Sequence, residues 1–141
     1  DGPMMVKWQK MVSDLDLNRS IIFAGRISEN EKNLLLSKCS ALVLPSFVEG
    51  FGLVILESFA MQKPVLVANV EPLSEIIDDG IDGFVVPLHN PTIWSEKISH
   101  LLLNKEICIH MGEEGRKKLE KKYDSEYIQD DMESLYLSLL K

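Results

Sequence analysis

The chain has 141 residues, 45% of them hydrophobic, enough for one domain with its own core but not for two. Fifteen basic residues against 22 acidic ones leave a net charge of −7, and the basic ones are scattered rather than striped. This balance excludes a nucleic-acid groove.

In chain order, Met4, Met5, Trp8, Met11, Val12 and Leu15 recur at helical spacing, which predicts an amphipathic helix over 4–15 packed on a sheet and ended by Asn18 and Arg19. Residues 20–24 form a short apolar run closed by Gly25 and read as a buried strand. Ser28 and Glu31 have the spacing of a capping box, followed by a helix over 29–38 with Leu34, Leu35 and Cys39 inward. A second strand is expected over 41–44, a largely apolar helix over 53–61 and a third strand over 65–68, with Pro64 stopping the helix before it. Residues 73–77 read as one or two helical turns. Asp78, Asp79, Gly80, Asp82 and Gly83 supply turn signals before a strand over 84–86. Helices are expected over 91–103, with Pro91 in its first turn, over 105–122, weakened by Gly112 and Gly115, and over 125–140. Strands alternating with helices through short links point to an α/β fold with a Rossmann-like, doubly wound parallel sheet and a helical C-terminus.

The chemistry concentrates in residues 45–57. Between Lys38 and Lys63 the only charged side chains are Glu49 and Glu57, both in segments that otherwise favour burial. A buried carboxylate is costly unless something donates hydrogen bonds to it, and the hydroxyls of a ligand can do so. In an open parallel sheet, ligands bind outside the carboxyl ends of the strands, where the following helices begin. There the first helical amides lack acceptors and the macrodipole adds positive charge. Gly50 and Gly52 let an anion approach the backbone, so a phosphate or diphosphate is the natural guest. At this level Glu49 fits a simple dipole partner as well as a sugar ligand, and Glu57 fits a structural ion pair as well as a ribose ligand. The full Gly-x-Gly-x-x-Gly fingerprint is absent.

Pro45-Ser46, then Glu49-Gly50-Phe51-Gly52, then Glu57 and Pro64-Val65 resemble the signature of retaining glycosyltransferases of the GT-B fold. This is the group 1 (family 4 type) family that includes sucrose synthases and bacterial mannosyl- and glucosyltransferases. Phe23-Ala24-Gly25 is similar to that family's Phe-x-Gly turn, and Glu75-Ile76-Ile77, Asp79-Gly80 and Gly83 to a later segment, so the likeness covers essentially the whole chain. It implies a partial GT-B C-terminal, nucleotide-sugar-binding domain over residues 1–141. Such a domain binds a nucleoside-diphosphate sugar, UDP- or GDP-linked, and needs neither metal nor other cofactor. Glu49, the catalytic candidate, would contact the transferred sugar; Gly50, Phe51, Gly52 and Leu53 would give backbone contacts to sugar and diphosphate; Glu57 would hold the ribose. Gly25, Arg26 and Ile27 match the turn along the nucleobase.

The likeness also implies omissions. Asp1-Gly2-Pro3 resembles the end of the family's second strand, so the first strand, its helix, the usual phosphate-binding Arg and Lys, and the acceptor-binding N-terminal domain are expected upstream. Glycines usual in the family are missing at 62–64 and 69–73. With two strands gone between the Ile21 and Leu42 strands, the exposed edges are expected to pair directly with each other or with a second chain as a homo-oligomer. The function implied is hexose transfer to a glycan, lipid or polysaccharide precursor, with the fragment alone inactive and the parent peripherally associated with a membrane. A nucleotide-sugar epimerase of the same fold and a non-catalytic binding module are the alternatives. Cys39 and Cys108 make no disulfide framework or zinc site, which fits a reducing, cytoplasmic setting, and no apolar stretch is long enough to span a bilayer. His89, His100 and His110 have no metal-ligand spacing and read as surface residues.

Overall fold

The computed structural model describes residues 2–123, which form two units, residues 2–32 and 33–123. The predicted helix over 125–140 lies outside the described residues.

In the first unit, α1 (Met5–Asp14) forms within a residue of the expected bounds, but its apolar stripe is not covered. Only Val12 is buried, while Met4, Trp8, Met11 and Leu15 are exposed. The expected strand over 20–24 is not formed. Residues 21–25 carry no ladder among the described residues, and Ile22 is 90% exposed. A strand is completed by its neighbours' amides and carbonyls, so sequence pattern alone does not make one.

The capping box is present. Ser28 N and Ser28 Oγ donate to Glu31 Oε2 at 2.8 and 2.7 Å, and Glu31 N donates back to Ser28 Oγ at 3.3 Å. The Ser28 backbone bond, with its hydroxyl second, holds the Glu31 carboxyl below its usual range. The box opens α2 (Glu29–Lys38), whose last turns belong to the second unit. Leu36 is its buried residue, and Leu34 and Leu35, expected inward, are exposed. Three consecutive leucines point about 100° apart around a helix, so packing rather than sequence chose the inner face.

The second unit is built on three parallel strands in the order β1-β2-β3: β1 (Leu42–Leu44), β2 (Val65–Ala68) and β3 (Gly83–Val86). All four residues of β2 are fully buried. Alternate residues serve opposite faces. Val65 and Val67 join Ile55, Phe59, Leu73, Ile76 and Ile77 on one, whereas Leu66 and Ala68 join Phe84, Val86, Trp94, Leu101 and Met111 on the other. Both faces need apolar cover, hence the unbroken apolar run.

The connections α3 (Leu53–Ala60) and α4 (Leu73–Ile76) both put their buried residues on the first face. Two right-handed crossovers stepping the same way along a sheet must do this. The other face is covered by α5 (Pro91–Leu103), capped by Asn90 Oδ1 accepting from Ile93 N at 3.3 Å, and by Met111 of α6 (Lys105–Lys122).

The two glycines expected to weaken α6 have another role. A Cβ on Gly112 would stand 2.0 Å from Gln62 O, and one on Gly115 would stand 2.3 Å from the Phe59 ring. α6 therefore lies against the C-terminal end of α3 at a distance no side chain allows. Arg116 Nη1 adds a 3.0 Å bond to Ala60 O, satisfying a terminal carbonyl of α3. At an exposed helical site, Gly112→Ala would gain about 1 kcal/mol. Here it is expected to cost about 1–3 kcal/mol through overpacking. Chemical denaturation of the full-length protein measures the sign, and a raised midpoint would refute the close seam.

Candidate functional site

Because the strands are parallel, Leu44, Ala68 and Val86 end at one edge of the sheet, and residues 45–52, 69–72 and 87–90 cluster there. The first and third of these loops meet across β2. The Phe47 and His89 rings lie 5.7 Å apart, so His89, read from sequence as an unremarkable surface residue, lies beside the motif loop.

Gly52 is the cap residue of α3. It is buried and left-handed (φ 77°, ψ 44°), and its carbonyl accepts from Ile55 N at 2.8 Å. Gly52 has no side chain with which to cap the helix and no acidic residue occupies the first turn, so neither supplies an acceptor to the leading amides. A Cβ on Gly52 would come within 2.9 Å of Leu73 Cδ2, whereas one on Gly50 would meet nothing within 4 Å. The two glycines differ in purpose: Gly52 permits the turn and its contact with α4, and Gly50 leaves the backbone approachable.

Glu49 precedes this turn and Glu57 lies one helical turn beyond Leu53 on the same face; both are half-buried. Phe51 is 44% exposed and its ring meets Tyr123 edge-on at 6.3 Å, at the end of α6. The structure thus brings Glu49, Gly50, Phe51, Gly52, Leu53 and Glu57 together in one strand–loop–helix element. Gly25, Arg26 and Ile27 belong to the first unit, where Gly25 is left-handed (φ 67°), Arg26 exposed and Ile27 half-buried.

The turn residues Asp78, Asp79 and Asp82 act as expected, and one does more. Asp79 Oδ1 accepts from Val85 N and Asp82 Oδ1 from Asp78 N, both at 2.9 Å. Asp82 is also 1% exposed and ion-paired with Lys118, whose Nζ lies 2.7 Å from Asp78 Oδ2 and donates to Ile76 O at 2.8 Å. Burial holds the Asp82 carboxyl above its usual range, opposed by the bond to and the charge of Lys118. Sequence reading missed this centre, since Lys118 stands in a mixed-charge run that reads as a solvated face.

Other candidates are structural. Burial pushes both thiols up, and Cys39 and Cys108 donate to Leu36 O and Ser40 O at 3.2 and 3.0 Å, so neither is poised as a nucleophile. An apolar groove of about 170 Å³ beside Ser40, Ala41, Ile98 and Leu102 lies at the amino end of β1, away from the motif loop. Among the described residues no cluster of His, Cys, Asp and Glu is placed to hold a metal ion, and no helix is long and apolar enough to cross a membrane.

Comparison with known proteins agrees with this geometry. The family model for glycosyl transferases group 1 matches residues 1–118. The chain belongs to that family. An uncharacterised glycosyltransferase of Methanocaldococcus jannaschii is 39% identical over 126 residues, 89% of this chain but 35% of that protein. Staphylococcus aureus TarM, solved with fondaparinux, α-GlcNAc-glycerol and UDP, superposes with a TM-score of 0.85 at 26% identity over 96% of this chain and 27% of TarM. Sucrose-phosphate synthase from Thermosynechococcus elongatus gives 0.84 at 25% identity over 96% of this chain and 34% of that enzyme. The chain thus spans about a third of the length of the curated relatives it matches, and its fold is part of the Rossmann-like C-terminal domain of GT-B glycosyltransferases.

The contrast between the two glycines is testable by thermal denaturation. Gly52→Ala forces a side chain into a left-handed residue against Leu73, with an expected loss of about 1–3 kcal/mol. Gly50→Ala should stay within about 0.5 kcal/mol of wild type. Equal costs at the two positions would refute the assignment.

Proposed function

We propose that residues 1–141 are the donor-binding portion of a retaining hexosyltransferase, which takes a hexose from a nucleoside-diphosphate sugar and passes it to a glycan, lipid or polysaccharide precursor. The observation that carries this reading is the α3 N-terminus, entered through left-handed Gly52, which has no side chain with which to cap it, between Glu49 and Glu57. Amides of Leu53 and its neighbours face the diphosphate and stabilise charge on the departing phosphate without a metal ion. Gly50 and Phe51 lie along the sugar and phosphate through their backbone, Glu49 accepts hydrogen bonds from the transferred hexose, and Glu57 accepts them from the ribose. UDP is the favoured nucleotide, because TarM was solved with UDP; GDP is the alternative. The first strand of this domain and the acceptor-binding domain come from elsewhere in a longer cytoplasmic protein that touches the membrane peripherally, so the 141-residue chain by itself is not expected to turn over donor.

A thermal-shift screen of the full-length protein against UDP-, GDP- and ADP-sugars identifies the donor. Glu57→Ala should then abolish the donor-induced shift, read against the melting temperature of the same variant without ligand. Glu49→Ala should lower kcat/KM about 10- to 100-fold, the worth of a hydrogen bond to a charged group. Gly50→Ala should weaken donor binding at unchanged stability. Wild-type binding in all three variants rejects this site.

A further inference from the structure

The donor site lies at one end of α3 and α4, and their opposite ends are both held by α6. At α3 the contact is the glycine seam and Arg116. At α4 it is Lys118, and this second contact has a specific consequence for the motif loop.

α4 is a single turn of four residues, too short for its own hydrogen bonds to fix its position. Its N-terminal residue, Leu73, is fully buried and lies against Gly52, with Leu73 Cδ2 2.9 Å from where a Gly52 Cβ would stand. At its C-terminal end, Ile76 O accepts from Lys118 Nζ at 2.8 Å. That ammonium is held in turn by Asp78 and by Asp82, itself tied to Asp78 N. The Lys118 side chain is 9% exposed and Asp82 1%. A buried lysine and a buried aspartate are costly to maintain. This pair sits where it can hold a free helix-terminal carbonyl in place and complement the negative end of the helix dipole.

We infer that Lys118 is a positioning residue for the donor site: through Ile76 O it fixes α4, and through Leu73 it fixes the left-handed Gly52 turn that aims the leading amides of α3. The residue touches no substrate, and its effect on donor binding is transmitted entirely through α4. This inference rests on the donor-site reading above.

The test uses the full-length protein, with UDP as the probe, or GDP if the screen selects it. Lys118→Met alone leaves a buried carboxylate unpaired, so the informative variant is Lys118→Met with Asp82→Asn, which removes both buried charges. The double variant is expected to recover wild-type melting temperature yet bind the nucleotide about 10- to 100-fold more weakly, as for a site displaced by a fraction of an ångström to 1 Å. Amide hydrogen exchange at Ile55, whose N–H donates to Gly52 O at 2.8 Å, should quicken in the same variant, a change that a contribution to global stability alone would not produce once stability is restored. Wild-type affinity and wild-type exchange in the stable double variant overturn the inference.

If the double variant does not fold, Lys118→Arg is read in the same way, since its longer planar fork cannot occupy the ammonium's position at Ile76 O while pairing both carboxylates. Weaker nucleotide binding at wild-type melting temperature supports the inference, and unchanged binding overturns it. Failure of the wild-type protein to bind any nucleotide sugar overturns the donor-site reading, and this inference with it. Wild-type binding together with unaffected variants overturns the role of Lys118 alone.

Discussion

The structure depends on the burial of β2 from both sides. Val65 to Ala68 have no exposed surface, and each of the valine and leucine side chains so placed contributes roughly 1.5–3 kcal/mol. Their alternation divides the second unit into two apolar layers. Because β1 and β3 run parallel to β2, every connecting helix must start at the same edge, where the 45–52, 69–72 and 87–90 loops gather. The position of the candidate site follows from that constraint before any ligand is considered.

α6 then ties the layers together. Met111 packs into one core layer and Leu119 against the other, while Gly112 and Gly115 bring the helix onto the end of α3. Its polar residues do comparable work: Arg116 and Lys118 reach carbonyls at the C-terminal ends of α3 and α4, so the two helices beside the motif loop are held from behind. The loop itself is lightly covered, with Phe47 and Val48 exposed at 67% and 87%. Support from behind and an accessible front suit the proposed donor site, which would admit a hydroxyl-rich ligand while keeping its backbone donors aimed.

Where sequence reading succeeded, the relevant interaction was local. The Ser28–Glu31 box, the first-turn place of Pro91, the bounds of α5 and α6, and the β2 run are each set by residues a few positions apart. Where it failed, the interaction was remote. The 20–24 segment has the composition of a strand but no ladder among the described residues, and α1 has an amphipathic pattern but little cover. Both expectations rested on composition and periodicity, which do not supply the partner that a strand or an apolar stripe needs.

The amino-acid sequence by itself determined the strand–loop–helix order, the residues of the Glu49–Glu57 motif and, through that motif, the family, because spacing along the chain is enough to specify each of them. Only the tertiary structure decided that Gly112 and Gly115 are contact points rather than weaknesses, that Leu36 faces inward while Leu34 and Leu35 do not, and that Lys118 is buried on Asp82 behind α4. The physical reason is the same in each case. A side chain's role was fixed by atoms dozens of residues away, and no periodicity or local propensity encodes which distant backbone or carboxylate a residue will meet.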